Sequence, residues 1–399
     1  MNDTPQSPVL IISAGKIARG YVGHLAALSG APLIFVDVNP NVIRLLNERG
    51  QYTVHILGNP AKSTVVKNFS ALHTSNPAVA DAVAHARLAF ISVGGPNLPA
   101  VAALLAPGLR ARRAAGGALL NIVCCENWRR PAEIVRAQLA ERLGPEDRAY
   151  LASKVGIAEA TVLRSCIEPT EAQKAEDPLA VQAQDYWELQ IDAAALVEPL
   201  PPIAGLQPIE KFHAALERKL FTYNAGNAVI GYLGAVRGHH YLHQAANDPL
   251  IVAEAQGVYA ESGAAVCARH GYTPAEQTAF AQQSLRKYQD ATIVDPVERQ
   301  VRDPLRKLSR YDRLIGPAML ALEYGIRPWH LALAIAAAVQ YTNPRDPAAV
   351  KLHALLAEQG LDVVLAQVCE IDPQGELARL VKQRMGDVAA FARPPAGAA

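Results

Sequence analysis

Residues 9–38 constrain the fold of this chain more than any other stretch. Val9–Ser13 (VLIIS) is a short β-branched run, Lys16–Leu28 carries apolar residues at helical spacing, and Leu33–Val38 (LIFVDV) is a second apolar run. A strand buried on both faces, a glycine turn, a helix and another buried strand make a βαβ unit with parallel strands. The pattern continues with expected strands at Leu88–Val93 and Leu119–Cys124 and a helix between them at Leu98–Arg113. Strands alternating with helices over about 150 residues predict a doubly wound parallel sheet, an α/β Rossmann-type N-terminal domain.

Tyr186–Ile191 (YWELQI) is a candidate extension of that sheet, and the Pro-rich stretch Pro199–Pro202 is the best boundary. Beyond it helix-period segments dominate: 208–236, 249–270, 274–289, 314–324, 328–341 and 348–367. The expected organisation is a Rossmann-like domain over 1–198, an all-α C-terminal domain over 199–385 and a frayed tail over 386–399. At 399 residues the chain is too long for one comfortable core, which agrees with two domains.

Lys plus Arg number 38 and Asp plus Glu 37, so the net charge is +1 and gives no electrostatic reason to expect nucleic acid or an anionic membrane as partner. The five cysteines form no C-x-x-C pair, and the N-terminus shows no signal-peptide pattern. Reduced thiols and a cytoplasmic location are the expectation. The most apolar later stretch, 331–339, is too short to span a bilayer and reads as a buried helix.

Strand, turn and helix meet at Ser13-Ala14-Gly15-Lys16-Ile17-Ala18. Against the dinucleotide fingerprint G-x-G-x-x-G, Ser13 takes the first position, Gly15 the second and Ala18 the third. Gly15 keeps the position at which backbone approaches a pyrophosphate at a helix N-terminus. Asp37, at the end of the second strand and 22 residues beyond Gly15, suits the adenosine ribose hydroxyls and repels a 2′-phosphate, which favours NAD over NADP. Val93-Gly94-Gly95, after the third strand, reads either as a second wall of the cofactor cleft or as an ordinary loop. The expected cofactor-binding residues are Ser13, Gly15, Lys16, Ile17, Asp37, Val93 and Gly94.

Two further segments stand out: Cys124-Cys125-Glu126-Asn127 after a predicted strand, and E-R-K-L-F-T-Y-N-A-G-N (Glu217–Asn227) on a predicted helix. With S-A-G-K-I-A-R-G, the later P-L-R-K-L-S (Pro304–Ser309) and L-E-Y-G (Leu322–Gly325), they make the chain resemble, from about residue 9 to 385, the mannitol-1-phosphate 5-dehydrogenases of the polyol-specific long-chain dehydrogenase/reductase family. The resemblance implies metal-free chemistry, with Lys219 as general base and Asn127 and Asn224 as amide donors to the substrate oxygen. A base role needs the lysine pKa to fall well below its ordinary value, a shift that closure of an apolar cleft and a nearby nicotinamide cation supply. On an ideal α-helix Lys219 and Asn224 lie about 140° apart, so only a bending lysine side chain converges with that asparagine. Spacing alone is equally compatible with a surface lysine and capping asparagines.

The family pattern K-x-x-x-x-N-x-x-H ends here in Asn227, which hydrogen-bonds but does not titrate near neutrality. Asn227 is a candidate substrate-binding residue, together with Arg306 and Lys307 from the basic run Arg302–Arg313, which suit a phosphorylated small-molecule substrate. The interspersed Asp303 and Asp312 equally suit a solvated, salt-bridged segment. Arg19 is an alternative phosphate contact. The H-H-x-x-H at His239–His243 lacks the acidic residue of a metalloprotease motif and reads as helix-surface histidines. The default substrate pair from resemblance is mannitol 1-phosphate and fructose 6-phosphate. A different hydroxy or keto substrate, or a dinucleotide-binding protein without catalysis, are the alternatives, and the oligomeric state is open.

Overall fold

A computed structural model describes residues 8–392 and divides into two compact units, the first ending at His213 and the second starting at Ala214. In the first unit the described residues form β1 (Val9–Ile12), β2 (Leu33–Asp37), β3 (Tyr52–Ile56), β4 (Thr64–Val66), β5 (Phe69–His73), β6 (Leu88–Ile91), β7 (Leu120–Cys124), β8 (Val155–Thr161), β9 (Cys166–Ile167), β10 (Val181–Ala183), β11 (Leu189–Asp192) and β12 (Leu206–Ile209). Eight of them make the main sheet in the order β12-β11-β8-β7-β6-β1-β2-β5. From β5 to β8 the neighbours run parallel; β11 joins β8 antiparallel, and β12 joins β11 parallel.

The period-2 alternation of β1 explains its all-apolar sequence. Val9 and Ile11 face one core layer, and Leu10 and Ile12 face the other. Helices 78–85, 98–114, 131–142 and 145–154 supply one layer, and the helical segment after Gly15 with helix 40–49 supplies part of the other. Because β1 lies between β6 and β2, the chain order reverses beside it, and its C-terminal end is a topological switch point, where open α/β sheets bind ligands.

A second sheet, ordered β4-β3-β10-β9, completes that other layer. It was not expected, because its strands are short and come from segments more than 100 residues apart. Gly20 lets it pack closely, since a Cβ there would come within 2.7 Å of the Val181 side chain and 3.0 Å of the Cys166 sulfur.

Helix dominates the second unit. Helix Ala225–Val236 is buried almost all round, and helices Pro249–His270, Trp329–Val339 and Glu376–Phe391 contribute to the core around it. The expected helices at 249–270 and 274–289 form over those residues. The expected helix 208–236 does not run unbroken. Its start is β12, paired to β11, which is why the first unit continues past the Pro-rich stretch at 199–202 to His213. The expected helix 348–367 is interrupted at Gly360, whose φ of 82° ends helical backbone. Helix Glu376–Phe391 continues beyond residue 385 because Val388 is buried in the core, so residues 386–391 of the expected tail are helical; residues 393–399 lie outside the described residues. No described helix is long and apolar enough to cross a membrane.

Candidate functional site

The first unit gathers its candidate residues at the C-terminal ends of β1, β2, β6 and β7. Ser13, the first residue past β1, is buried and has a φ of 129°, the backbone region that the fingerprint reserves for glycine. It holds this conformation through its own bonds: its N–H donates to Val36 O at 2.7 Å, and its Oγ accepts the Gly15 N–H at 3.0 Å. The chain thus makes the glycine turn with a serine. Gly15 is exposed, and a Cβ there would meet only Ser13 Oγ, so the turn leaves the backbone approachable at the helix start.

Asp37 Oδ2 accepts the Ala14 N–H at 2.6 Å and Oδ1 accepts the Asn39 N–H at 2.9 Å. This fixes the carboxylate at the end of β2 beside the turn. Lys16 pairs with Glu168, and Ile17 is half-buried. Arg19 is not available to a phosphate: its guanidinium is buried and donates to the carbonyls of Ala14 and Leu179.

The turns after β6 and β7 are tied together. Glu126 accepts the Val93 N–H at 2.6 Å and the Gly94 N–H at 3.0 Å on Oε1, and Oε2 lies 3.1 Å from the Gly94 nitrogen. Burial pushes its carboxyl up to about 7, while the two amides work in the opposite direction. The Trp128 ring lies where a Cβ on Gly95 would point. Asn127 is exposed between these two ties. Glu126 lay in the segment the sequence singled out but received no role, and Trp128 was not named, because nothing in sequence shows that they reach a turn some 30 residues earlier.

In the second unit Lys219 ends helix Phe212–Lys219 and is followed by a π-helical turn, Leu220–Asn224, before helix Ala225–Val236. The Ala225 N–H reaches back to Leu220 O, the i→i+5 bond of a π turn. With about 4.4 residues per turn, five residues rotate a side chain by only about 50° beyond a full circle. Lys219 and Asn224 therefore share a face, where an ideal α-helix separates them. Asn227 follows one helical turn later, almost fully buried.

The turn is held from helix Pro274–Gln289. Gln277 Nε2 donates to Thr222 Oγ1 at 2.9 Å, and the Tyr288 hydroxyl donates to Tyr223 O at 2.7 Å. Gln277 is itself oriented by Arg218 Nε at 2.8 Å, whose guanidinium stacks on Tyr272 and Phe280. Gly226 permits close approach of Tyr259, since a Cβ there would lie 2.6 Å from the ring's Cζ.

Lys219 is 5% exposed, and burial lowers its ammonium to about 7, assisted by the positive charges of Arg313 and Lys287 and opposed by Asp312. A lysine so placed exchanges a proton near neutral pH.

The two candidate phosphate ligands are otherwise engaged. Arg306 Nε donates to Asp303 Oδ2 at 2.9 Å, and its NH1 lies 3.4 Å from Asp312 Oδ2. Lys307 is buried, donates to the carbonyls of Gln300 and Arg302, and is lowered to about 6 by burial and by Arg313 and Arg306. The salt-bridged alternative describes this segment. His239 Nε2 sits 3.0 Å from Asp248, which also accepts from Arg237 at 2.6 Å. Among the described residues no group of three or more His, Cys, Asp or Glu is arranged to hold a metal ion.

Comparison with known proteins covers both units. Residues 7–205 match the mannitol dehydrogenase Rossmann domain family, and residues 211–388 match the mannitol dehydrogenase C-terminal domain family. Among solved structures, the chain is similar to mannitol 2-dehydrogenase of Pseudomonas fluorescens in a ternary complex with NAD and D-mannitol. The identity is 18%, 98% of this chain and 94% of that one are covered, and the TM-score is 0.81. A substrate-free D-sorbitol dehydrogenase gives 14% identity, 98% and 96% coverage and a TM-score of 0.79. At these identities the likeness is one of fold, and it extends over the whole length of both proteins. With family matches to its Rossmann half and its helical half, the chain belongs to the mannitol dehydrogenase family of oxidoreductases.

Proposed function

We propose that this protein is an NAD(H)-dependent oxidoreductase that interconverts a polyol phosphate and the corresponding keto-sugar phosphate, with mannitol 1-phosphate and fructose 6-phosphate as the default pair. Lys219 carries the reading. It is buried, lowered to about 7, and set on a π turn that brings Asn224 to its face.

The residues at the ends of β1 and β2 fit a dinucleotide. The exposed Gly15 at a helix start suits a pyrophosphate, and Asp37 suits ribose hydroxyls and disfavours a 2′-phosphate. Bound NAD supplies the hydride acceptor. Lys219 Nζ, neutral in oxidation, takes the proton of the substrate hydroxyl, and in reduction the ammonium returns it to the carbonyl oxygen. The amides of Asn224 and Asn127 stabilise the alkoxide-like oxygen without changing protonation state. Asn227 holds a further substrate oxygen by hydrogen bonding. Proton transfer through Lys219 makes a metal unnecessary in this scheme.

A second reading, an unphosphorylated polyol, is favoured by the engagement of Arg306 with two carboxylates and of Lys307 with two carbonyls. The test follows absorbance of NADH with purified protein and fructose 6-phosphate or fructose. Oxidation with the phosphate ester supports the first reading, and oxidation with fructose alone supports the second. NADH binding without turnover on any ketose refutes both.

A further inference from the structure

Three successive features fasten the turn after β7 to the turn after β6. The Cys125 N–H donates to Ile91 O at 2.8 Å, extending the parallel ladder one residue past β7. The Glu126 carboxylate then accepts both amides of Val93 and Gly94. Finally the Trp128 ring covers Gly95. Asn127 lies in this run between Glu126 and Trp128 and is exposed.

The opposite turn is rigid enough to serve as an anchor. Gly94 has a φ of 87°, and Asn97 Nδ2 donates to Val93 O at 2.8 Å. Glu126 is the only member of the three ties whose side chain is a hydrogen-bond acceptor for main-chain amides, and it does so from the position adjacent to Asn127. We propose that Glu126 is a positioning residue for Asn127, fixing the turn after β7 so that the Asn127 amide is aimed before substrate binds. The role rests on the function proposed above.

The acceptor, not the charge, is what the tie requires. Oε1 receives both amides, and a protonated carboxyl or a carboxamide retains a carbonyl oxygen in that place. Near neutral pH, where burial leaves this carboxyl partly protonated, the tie persists in both forms. Its titratable neighbours are thiols and an acid: Cys124 at the end of β7 and Cys125 just past it, both pushed far up by burial, and the raised Glu159 on β8 beside Cys124. Arg129 and Arg130 follow in the same turn, and Arg130 pairs with Glu133.

The test is a mutant cycle with Glu126→Gln, Glu126→Leu, Asn127→Ala and the double variant Glu126→Leu/Asn127→Ala. Steady-state kinetics are measured at saturating NADH, NADH affinity by fluorescence, and thermal unfolding without ligand. Glu126→Gln is expected to keep kcat within about threefold of wild type, because its carbonyl oxygen replaces Oε1. Glu126→Leu is expected to lose about 100-fold in kcat, the scale of a misaimed transition-state donor, with a smaller change in KM. It is also expected to bind NADH more weakly, since Val93 and Gly94 lose their acceptor. The double variant is expected to be no slower than Asn127→Ala alone within about threefold.

Losses that multiply in the double variant overturn the role, because Glu126 would then act without Asn127. A Glu126→Gln variant as slow as Glu126→Leu overturns it as well. Lowered unfolding temperature in Glu126→Leu with unchanged kcat reduces the residue to a stabilising contact and overturns the proposal. Wild-type protein without NADH-linked turnover removes the function reading and this role with it, whereas active wild type with an additive cycle removes only this role.

Discussion

Ser13 offers the sharpest test of the local physics, since its backbone strain makes alanine a worse replacement there than glycine. A non-glycine residue at positive φ costs about 1–2 kcal/mol, and Ser13 sits at 129°. Its compensation is the Oγ contact with the Gly15 N–H at 3.0 Å, about 1 kcal/mol net. Ser13→Gly removes the strain and the hydrogen bond together, and adds about 0.5–1 kcal/mol of unfolded-chain entropy. The sum lies within about 1 kcal/mol of wild type. Ser13→Ala keeps the strain and loses the bond, so it falls about 1 kcal/mol below wild type and about 1 kcal/mol below Ser13→Gly. For a unit of this size that difference is about 2–4 °C in Tm. Calorimetric unfolding of both variants without cofactor checks it. A Ser13→Ala protein as stable as Ser13→Gly, or more stable, would refute the strain argument, because alanine exceeds glycine only where φ is negative. NADH binding by Ser13→Gly is expected to be at least as tight as in wild type, since glycine is the ordinary occupant of this turn.

Lys219 sets a pH window. With its folded pKa lowered to about 7, polyol oxidation should rise with pH through about 7 and then level, while ketose reduction falls over the same range. Lys219→Ala should abolish turnover but not NADH binding; retained turnover removes the base assignment. The same shift makes the unfolded chain bind a proton that the folded lysine releases between about pH 7 and its ordinary pKa, so stability from this group rises with pH across that interval. Lys219→Met should flatten that rise, as read by urea unfolding at pH 7 and 9.5. Gly226→Ala should cost about 1–3 kcal/mol by forcing Tyr259 off its 3.0 Å contact with Ser284, and an unchanged Tm contradicts the close approach. In the first unit, Arg164 is buried against Trp187 with its NH2 lacking a partner, and its charge helps burial hold His24 at about 3. Arg164→Met should be milder than Arg164→Ala and should raise the His24 pKa, measured by NMR titration.

The sheet was legible because its central strands are buried on both faces and announce themselves as unbroken apolar runs: VLII, LIFV and LAFI each became strands in the expected order. The four-stranded second sheet was not, since Tyr52–Ile56 alternates buried and half-buried residues instead of forming an unbroken apolar run, and it meets the three-residue Val181–Ala183 only in three dimensions. The positions of Gly15 at a helix start and of Asp37 at the end of β2 were readable from spacing. The basic run stood open in sequence between phosphate ligands and a salt-bridged segment, and in the structure Asp303, Asp312 and two carbonyls take donors of Arg306 and Lys307. Sequence shows which charges are present, and burial decides which remain available for a ligand.

The largest revision concerns the helix that carries Lys219, and it bears on how such a site arises. On α-helical geometry Lys219 and Asn224 point about 140° apart, which requires a contorted side chain. One π turn removes the conflict without altering a residue, and its cost is met from outside the helix: Gln277 fixes Thr222, Tyr288 takes up Tyr223 O, and Gly226 makes room for Tyr259. Those three contacts come from residues 33–65 positions away, so the lysine–asparagine pairing is specified by tertiary packing and not by the local string E-R-K-L-F-T-Y-N. The Rossmann half repeats the device, with a π turn at Ala18–Val22 immediately after its glycine turn, where Arg19 reaches back to Ala14 O and Tyr52 donates to Arg19 O at 3.0 Å. In both halves a candidate site residue, Ile17 or Lys219, precedes an i→i+5 turn that neighbouring elements hold in place. Loosening the holder should therefore act like a mutation in the site itself: Gln277→Ala, which touches neither Lys219 nor Asn224 by the contacts described, is expected to reduce kcat more than it raises KM. A Gln277→Ala enzyme with wild-type kcat would show that the π turn persists on its own, and would return the alignment of the two residues to the local sequence.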